Sequence, residues 1–468
     1  MNHRVIDTDN SSVAARLAAV EVLIEFEQNM VYPKTLLDTK LLKLTLPNND
    51  HGFVRGLVNG TIQHMNSIDW IINNYSMTRK VTDTTKEVRN SLRVAVYQLE
   101  YMRGRVPPYA AVDQAVEIVK LLGGHTGLTG YTNGVLRAIV RECIAGRNLL
   151  NLSSTGKDVV KNISLKHSHP EWMVQRWLTQ YGIDDTEKLC EVNNTHADMA
   201  VRVNTLKTTS GEVVTALNNY GLGVRMSELV PDALVFTSGE PFLEGLAEFQ
   251  AGMFYIQDEA SQLVTHILGP QPGEVVYDIC SAPGGKATHA AQLMKNSGKI
   301  VAFDMFSHKL RFIRENSARL GVTIIDPQLR DGENPQNFTG AVDRVLIDVP
   351  CSGTGVLRRR PDLKWRRTSN DIIFKLPKIQ YSILSNAAPL VKPGGILVYS
   401  TCSIEPEENE GVIGKFVKEF PLFEIENIRD TGKFLGNKDI VNPGGWVQTL
   451  THKHGIDGFF VIRFRRKG

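Results

Sequence analysis

The sequence predicts a multidomain protein: an all-α helical bundle, a small α/β domain, and a Rossmann-like α/β domain. Three observations carry this. Apolar residues recur at helical spacing through residues 11–147. A polar stretch over 151–162 then gives way to short alternating and helical pieces. From about residue 274, apolar runs of strand length alternate with helical patterns, the order of a parallel sheet. A length of 468 residues suffices for two or three domains. The boundaries read as 1–150, 163–248 and 249–468.

Composition narrows the class. Apolar residues at 42% can fill a sizeable core, while 22% charged residues and a net charge of +3 are ordinary for a globular protein. No apolar run approaches the ~18 residues of a membrane span. Residues Met1 to Ser12 are polar and carry no signal-peptide pattern. The five cysteines, Cys143, Cys190, Cys280, Cys351 and Cys402, include no C-x-x-C pair and are odd in number. Neither a zinc site nor a disulfide framework is expected, and a reducing cytoplasm suits them.

In the bundle, Val13, Leu17, Val20 and Ile24 share a helical face, with Ser11 or Ser12 as N-cap. Phe53, Leu57 and Val58 start a second stripe. Val88, Leu92, Val96 and Leu99 form a third; Val112, Ala115, Val116 and Val119 a fourth; Val135, Leu136, Ile139, Val140 and Cys143 a fifth. Over residues 1–150, 17 Lys and Arg stand against 14 Asp and Glu, no strong basic footprint. Arg79, Lys80, Lys86, Arg89, Arg93, Arg103 and Arg105 either line phosphates or form a solvated helix face. Beyond the polar linker, Ser168–Trp172 reads as a helix start. Met199–Asn204 alternates as a strand, a helix falls near Glu212–Asn218, and strands lie near Val224 and Leu234–Phe236.

The third domain is organised around Tyr277–Thr288. Glu274–Tyr277 reads as a buried strand and Ala287–Met294 as a helix; the small residues and glycines between them let backbone approach a ligand. This is a nucleotide-binding corner without the dinucleotide or P-loop spacing. Further strands are expected at Lys299–Asp304, Val322–Ile325, Arg344–Asp348 and Gly395–Ser400, with late strands near Trp446–Leu450 and Phe459–Phe464. Helices are expected over Leu310–Leu320, Ile372–Val391 and Pro406–Phe420.

In open α/β sheets the ligand sits at the carboxyl ends of the strands. Those ends carry the Gly loop, Asp304, Asp331, Asp348, Cys351 and Cys402. Asp304 is placed for ribose hydroxyls and Asp331 for an adenine amino group. Together with a loop from Cys280 to Lys286 for an amino-acid tail, these suit S-adenosylmethionine. The two cysteines extend the reading. Carbon 5 of a pyrimidine is a poor nucleophile until a thiolate adds at carbon 6, after which a base must remove the carbon-5 proton. Two thiols on neighbouring strand ends fit these tasks.

Four motifs carry a resemblance: Asp278-x-Cys-x-Ala-Pro-Gly-Gly-Lys286, Asp348–Gly355, Arg359–Trp365 and Tyr399–Glu410. They resemble the RNA cytosine-5 methyltransferases. The bundle, with His51–Gly60 and Val112–Glu117, resembles the RNA-binding antitermination factor NusB. Together they resemble the RsmB (Sun, Fmu) family of 16S ribosomal RNA cytosine-5 methyltransferases along almost the whole chain. The resemblance implies that Cys402 attacks the base and Cys351 assists release. It places Cys280, Ser281, Ala282, Pro283, Gly284, Gly285, Lys286, Asp304, Asp331 and Asp348 at the cofactor, with Asp348 also beside the target base. Two departures stand out: Ser281 where the family has Ala, and Ala287 between Lys286 and Thr288. Both are small, so the loop is expected to keep its cofactor.

The expected substrate is 16S ribosomal RNA, free or as a small-subunit precursor, acted on by a cytoplasmic monomer with no DNA or membrane partner. Action on tRNA or 23S ribosomal RNA, or a non-catalytic RNA-binding assembly role, are the alternatives. Arg358, Arg359, Arg360, Lys364, Arg366 and Arg367 either neutralise RNA phosphates beside the target pocket or decorate a solvated loop. Trp365 either stacks on a base or anchors the loop.

Overall fold

The computed structural model describes residues 11–42, 48–152, 155–237, 242–334, 340–431, 435 and 439–468. The chain divides into two compact units, Met1–Asn194 with Arg360–Arg366, and Thr195–Arg359 with Arg367–Gly468.

In the first unit, helices span Ser11–Asn29, Pro33–Leu41, Asn48–Gln63, Met65–Tyr75, Lys86–Tyr101, Pro108–Leu121 and Thr126–Ile144. Their apolar stripes meet in two clusters, one around Leu17, Val20, Phe26 and Leu57, the other around Ile68, Leu92, Val96, Val119 and Leu136. Cys143 lies partly buried against the second. The helix Pro33–Leu41 escapes a sequence reading because Pro33 looks like a breaker; it occupies the first turn, where its missing N–H costs nothing. The linker is shorter than expected. Asp158 caps a helix over Val159–Lys166, accepting from Lys161 N at 3.0 Å. The next helix, Glu171–Val192, starts where the sequence placed it and bends at Gly182, whose φ is 78°.

Two arginines of this unit, Arg93 and Arg89, hold helices together. Arg93, 6% exposed, donates to both carboxylate oxygens of Asp69, at 2.8 and 2.7 Å. Arg89 pairs with Glu27 at 2.8 Å. A charge withdrawn from water needs such a partner, so Arg93 faces neither phosphates nor solvent.

The second unit holds two sheets. The smaller is antiparallel, in the order β2-β3-β1-β4, where β1 is Ala200–Val203, β2 Val224–Met226, β3 Ala233–Phe236 and β4 Phe254–Ile256. A capping box between Thr209 and Glu212 starts its helix, Ser210–Asn219. β4 belongs to this sheet although the sequence reads it as the approach to the next domain.

The larger sheet contains β5 (Val275–Ile279), β6 (Lys299–Asp304), β7 (Ile325–Leu329), β8 (Val342–Asp348), β9 (Val391–Thr401), β10 (Phe423–Ile425), β11 (Val447–Gln448) and β12 (Phe460–Arg466). Its order is β10-β12-β9-β8-β5-β6-β7, with β11 paired to β12. The five strands from β9 to β7 are parallel, while β12 runs antiparallel to β9, β10 and β11. The sheet is therefore mixed, not wholly parallel. Val322–Ile325 was expected as the third strand; β7 instead begins at Ile325 and runs through Pro327. Proline is tolerated because β7 is an edge strand. The expected long helix ends at Ala387, and Val391 already belongs to β9. β6 and β7 continue from β5 to one side, β8 and β9 to the other. The strand order thus reverses between β5 and β8, and a ligand crevice opens at their carboxyl ends.

Candidate active site

β5 delivers the chain into the loop from Cys280 to Lys286, and the helix Gly285–Leu293 follows. Gly284 has a φ of 97°, and a Cβ there would stand 3.2 Å from the Ile313 backbone. Only glycine fits. Ser281 Oγ donates to Asp278 Oδ2 at 2.7 Å, so the hydroxyl that departs from the family pattern has a local partner. Ala287 is fully buried in the following helix.

A cavity of about 240 Å³ opens beside this loop. Of the expected cofactor residues, Cys280, Ser281, Ala282, Pro283, Gly285, Lys286 and Asp348 line it, joined by Tyr255, Gln257, Asp258 and Asp278. Gly284, Asp304 and Asp331 lie outside this lining. Asp304 instead ties the loop to the end of β6: it accepts from Ala282 N at 3.3 Å and Phe306 N at 3.0 Å. Asp331 lies two residues past β7 and accepts from Glu333 N at 3.0 Å.

Two acids and a lysine set the electrostatics. Asp278 is 1% exposed, and its Oδ1 has no hydrogen-bond partner. Burial pushes its carboxyl up to about 7, against the pull of the Ser281 bond and Lys286. Lys286 Nζ meets Asp348 Oδ2 at 2.6 Å, and Ser400 Oγ donates to Asp348 Oδ1 at 2.8 Å. Burial pulls the Lys286 ammonium down, but Asp348, Asp278 and Cys402 raise it more, so it stays charged above its ordinary range. Cys280 is pushed up by burial and then by Asp304, Asp348 and Asp278; it is a thiol in the wall, not a thiolate.

The two remaining cysteines meet. Cys351 Sγ stands 3.1 Å from Cys402 Sγ, from the turns after β8 and β9. The hydrogen bond to Cys402, then burial, then the Cys402 charge hold the Cys351 proton far more tightly than in a free thiol. A buried carboxylate that the sequence does not single out joins the two turns. Glu408 Oε2 accepts from Ser352 N at 2.8 Å and Gln380 Nε2 at 2.7 Å, and its Oε1 accepts from Ser403 Oγ at 2.7 Å. Four acids crowd Glu405–Glu410, and no spacing rule tells which of them turns inward.

The basic run after Cys351 is corrected most. Arg358 and Arg359 both donate to Asp457, at 2.8 and 2.7 Å, and Arg359 also to Asp258 at 2.8 Å. Arg360 and Arg366 hold Asp362. Arg367 donates to the carbonyls of Cys351 (2.7 Å) and Ser352 (3.1 Å). Lys364 is fully buried in the first unit, donating to Asn194 Oδ1 at 2.7 Å and to the Gln63 and Ser168 carbonyls at 3.3 Å. Trp365 Nε1 donates to Ile62 O at 2.7 Å, so it anchors the segment. These cations are consumed by internal acids and carbonyls because desolvated charge requires them.

Fold and loop together define a Rossmann-like methyltransferase domain that follows a helical bundle and a small sheet domain in chain order. Family models match in the same order: the NusB family over residues 13–141, a ferredoxin-like domain of RsmF/B-like methyltransferases over 169–242, and the 16S rRNA methyltransferase RsmB/F over 265–465. A relative in Bacillus subtilis, named probable ribosomal RNA small subunit methyltransferase B, is 38% identical over 97% of this chain and 99% of its own. One of the same name in Synechocystis is 33% identical over 97% of this chain and 100% of its own. The solved structure of PH0851 superposes with a TM-score of 0.79 and 26% identity, over 99% of this chain and 100% of that one. The chain belongs to the family of ribosomal RNA small subunit methyltransferase B.

Proposed function

We propose that this protein methylates carbon 5 of a cytosine in 16S ribosomal RNA, using S-adenosylmethionine and a covalent Cys402–cytosine intermediate. The 3.1 Å approach of Cys351 and Cys402, beside the Lys286–Asp348 pair, carries the reading. The cavity fits the cofactor: Asp278 Oδ1 lacks a partner where an ammonium is to be held, and Gly285, where a Cβ would stand 3.0 Å from the Tyr255 ring, keeps the wall free of a side chain. Bound there, S-adenosylmethionine supplies an electrophilic methyl group.

The Cys402 thiolate adds to carbon 6 of the base and makes carbon 5 nucleophilic. Asp348, oriented by Lys286 and Ser400, accepts from the cytosine amino group. Once Cys402 is bonded to the base, the main influence holding the Cys351 proton is gone. Cys351 then yields that proton to solvent and, as a thiolate, takes the carbon-5 proton. The carbon–sulfur bond breaks, and Cys402 leaves with its electron pair. The helical bundle is assigned to RNA selection, and 163–248 and 249–468 to a small RNA-binding domain and the catalytic domain of a cytoplasmic monomer. No helix among the described residues is long and apolar enough to cross a membrane. Bisulfite sequencing of total RNA from cells lacking the gene is expected to show one 16S cytosine losing protection. Loss of a tRNA or 23S position instead would overturn the substrate.

A further inference from the structure

A buried cation stands one layer behind the wall of the cavity, with no carboxylate paired to it among the described residues. Arg202 lies on β1 and is 1% exposed. Its hydrogen bonds all go to neutral oxygens. Nη1 donates to Gly285 O at 2.7 Å and to Gln257 Oε1, Nη2 to Thr288 Oγ1 at 3.1 Å, and Nε to Gln292 Oε1 at 3.3 Å. Its guanidinium carbon sits 5.2 Å from the centre of the Tyr255 ring. Burial pulls its pKa down to about 9, which still leaves it charged at neutral pH.

Withdrawing an ion from water is costly unless an opposing charge offsets it. Among the described residues none does so, yet three that Arg202 contacts, Tyr255, Gln257 and Gly285, line the cavity. The amides that open the helix at Gly285 add a partial positive charge at the same place. Asp278, in the same lining, offers an unpartnered carboxylate oxygen. One cavity therefore presents a positive field and a negative group, the complement of a zwitterionic α-amino acid.

We propose that Arg202 is the positioning residue and counter-charge for the carboxylate of the cofactor's amino-acid tail. It holds the Gly285 carbonyl and Gln257 in place and sets the positive field behind them. This rests on the cavity being the S-adenosylmethionine site. In a low-dielectric wall such a field is weakly screened. The residue comes from the small sheet domain, so that domain completes the cofactor site.

The test is calorimetric titration of the full-length protein with S-adenosylhomocysteine and with its decarboxylated analogue, which keeps the adenosine, sulfur and amine. Wild type is expected to prefer the carboxylate-bearing ligand by about tenfold or more. Arg202→Gln should shrink that preference to about twofold by weakening S-adenosylhomocysteine alone. Gln292→Glu leaves the cation in place but sets a carboxylate beside Nε. It should shrink the preference too, while giving the buried charge a partner. Should Arg202→Gln fail to fold, Gln292→Glu decides. An unchanged preference in the folded variants, or equal weakening of both ligands, overturns the proposal. So does a wild type that binds both ligands equally. A wild type that binds neither sinks the cofactor reading of the cavity, and the proposal with it.

Discussion

Lys286 and Asp348 meet at 2.6 Å across the switch point of the sheet, one from the loop after β5 and the other at the end of β8. Both side chains are largely shielded from solvent. Removing the lysine leaves a carboxylate with Ser400 as its one hydrogen-bond partner among the described residues. Lys286→Met is therefore expected to lose about 3 kcal/mol of stability, measured by urea unfolding, and to abolish methyl transfer. Wild-type activity would remove Lys286 from the site.

The thiols should fail differently. Cys402→Ala loses the attack at carbon 6 and is expected to be inactive, with no RNA adduct. Cys351→Ala keeps the attack but slows elimination, so a covalent protein–RNA complex should accumulate on a denaturing gel and vanish in the double variant. The reverse pattern would exchange the two roles, and full activity in both would end the thiol mechanism.

Asp278 gives a pH signature. Its folded pKa of about 7 lies above the unfolded 3.8, so between these values the folded state binds the extra proton. Stability contributed by this group therefore falls as pH rises from about 4 to 7. Asp278→Asn should lose that slope, leaving the share that Asp258, also pushed up to about 7, contributes. Because an ammonium ligand favours the carboxylate, S-adenosylhomocysteine binding near pH 6.5 should release a proton. Titration in two buffers of different ionisation enthalpy would detect it; no difference would place the ammonium elsewhere.

Two tasks are proposed for Asp304, ribose binding and loop order. Its carboxylate already caps Ala282 and Phe306, so Asp304→Ala should lose both ribose contacts and loop order, costing at least roughly 1.5–3 kcal/mol of cofactor affinity. Unchanged affinity in the folded variant would take Asp304 out of cofactor binding.

Lys364 is expected to matter for folding and not for RNA phosphates. Burial depresses its pKa from 10.5 to about 7. Between those values the unfolded state binds the extra proton, so its contribution makes stability rise from pH 7 to 10.5. Lys364→Met should abolish that rise in melting temperature while leaving the salt dependence of RNA binding unchanged. A shallower salt slope would return Lys364 to the RNA surface.

The sequence by itself determined the bundle, the β-α order and the strand-end residues, because those follow from local periodicity and from glycine's access to positive φ. It placed Cys351 and Cys402 at neighbouring strand ends, and the turns after β8 and β9 bring them to 3.1 Å. What it left undecided was the partner of each charge. Arg358 to Arg367 looked like a basic patch, yet their acids lie as far away as Asp258 and Asp457 in the chain, a pairing no local rule predicts. Glu408 and Arg202 were silent for the same reason. An acid in a run of acids and an arginine in an alternating strand both read as solvent-facing. Only the tertiary structure, by covering β1 on both faces and folding the Glu405–Glu410 turn inward, decided that these charges are buried, and desolvation then fixed what they must bond.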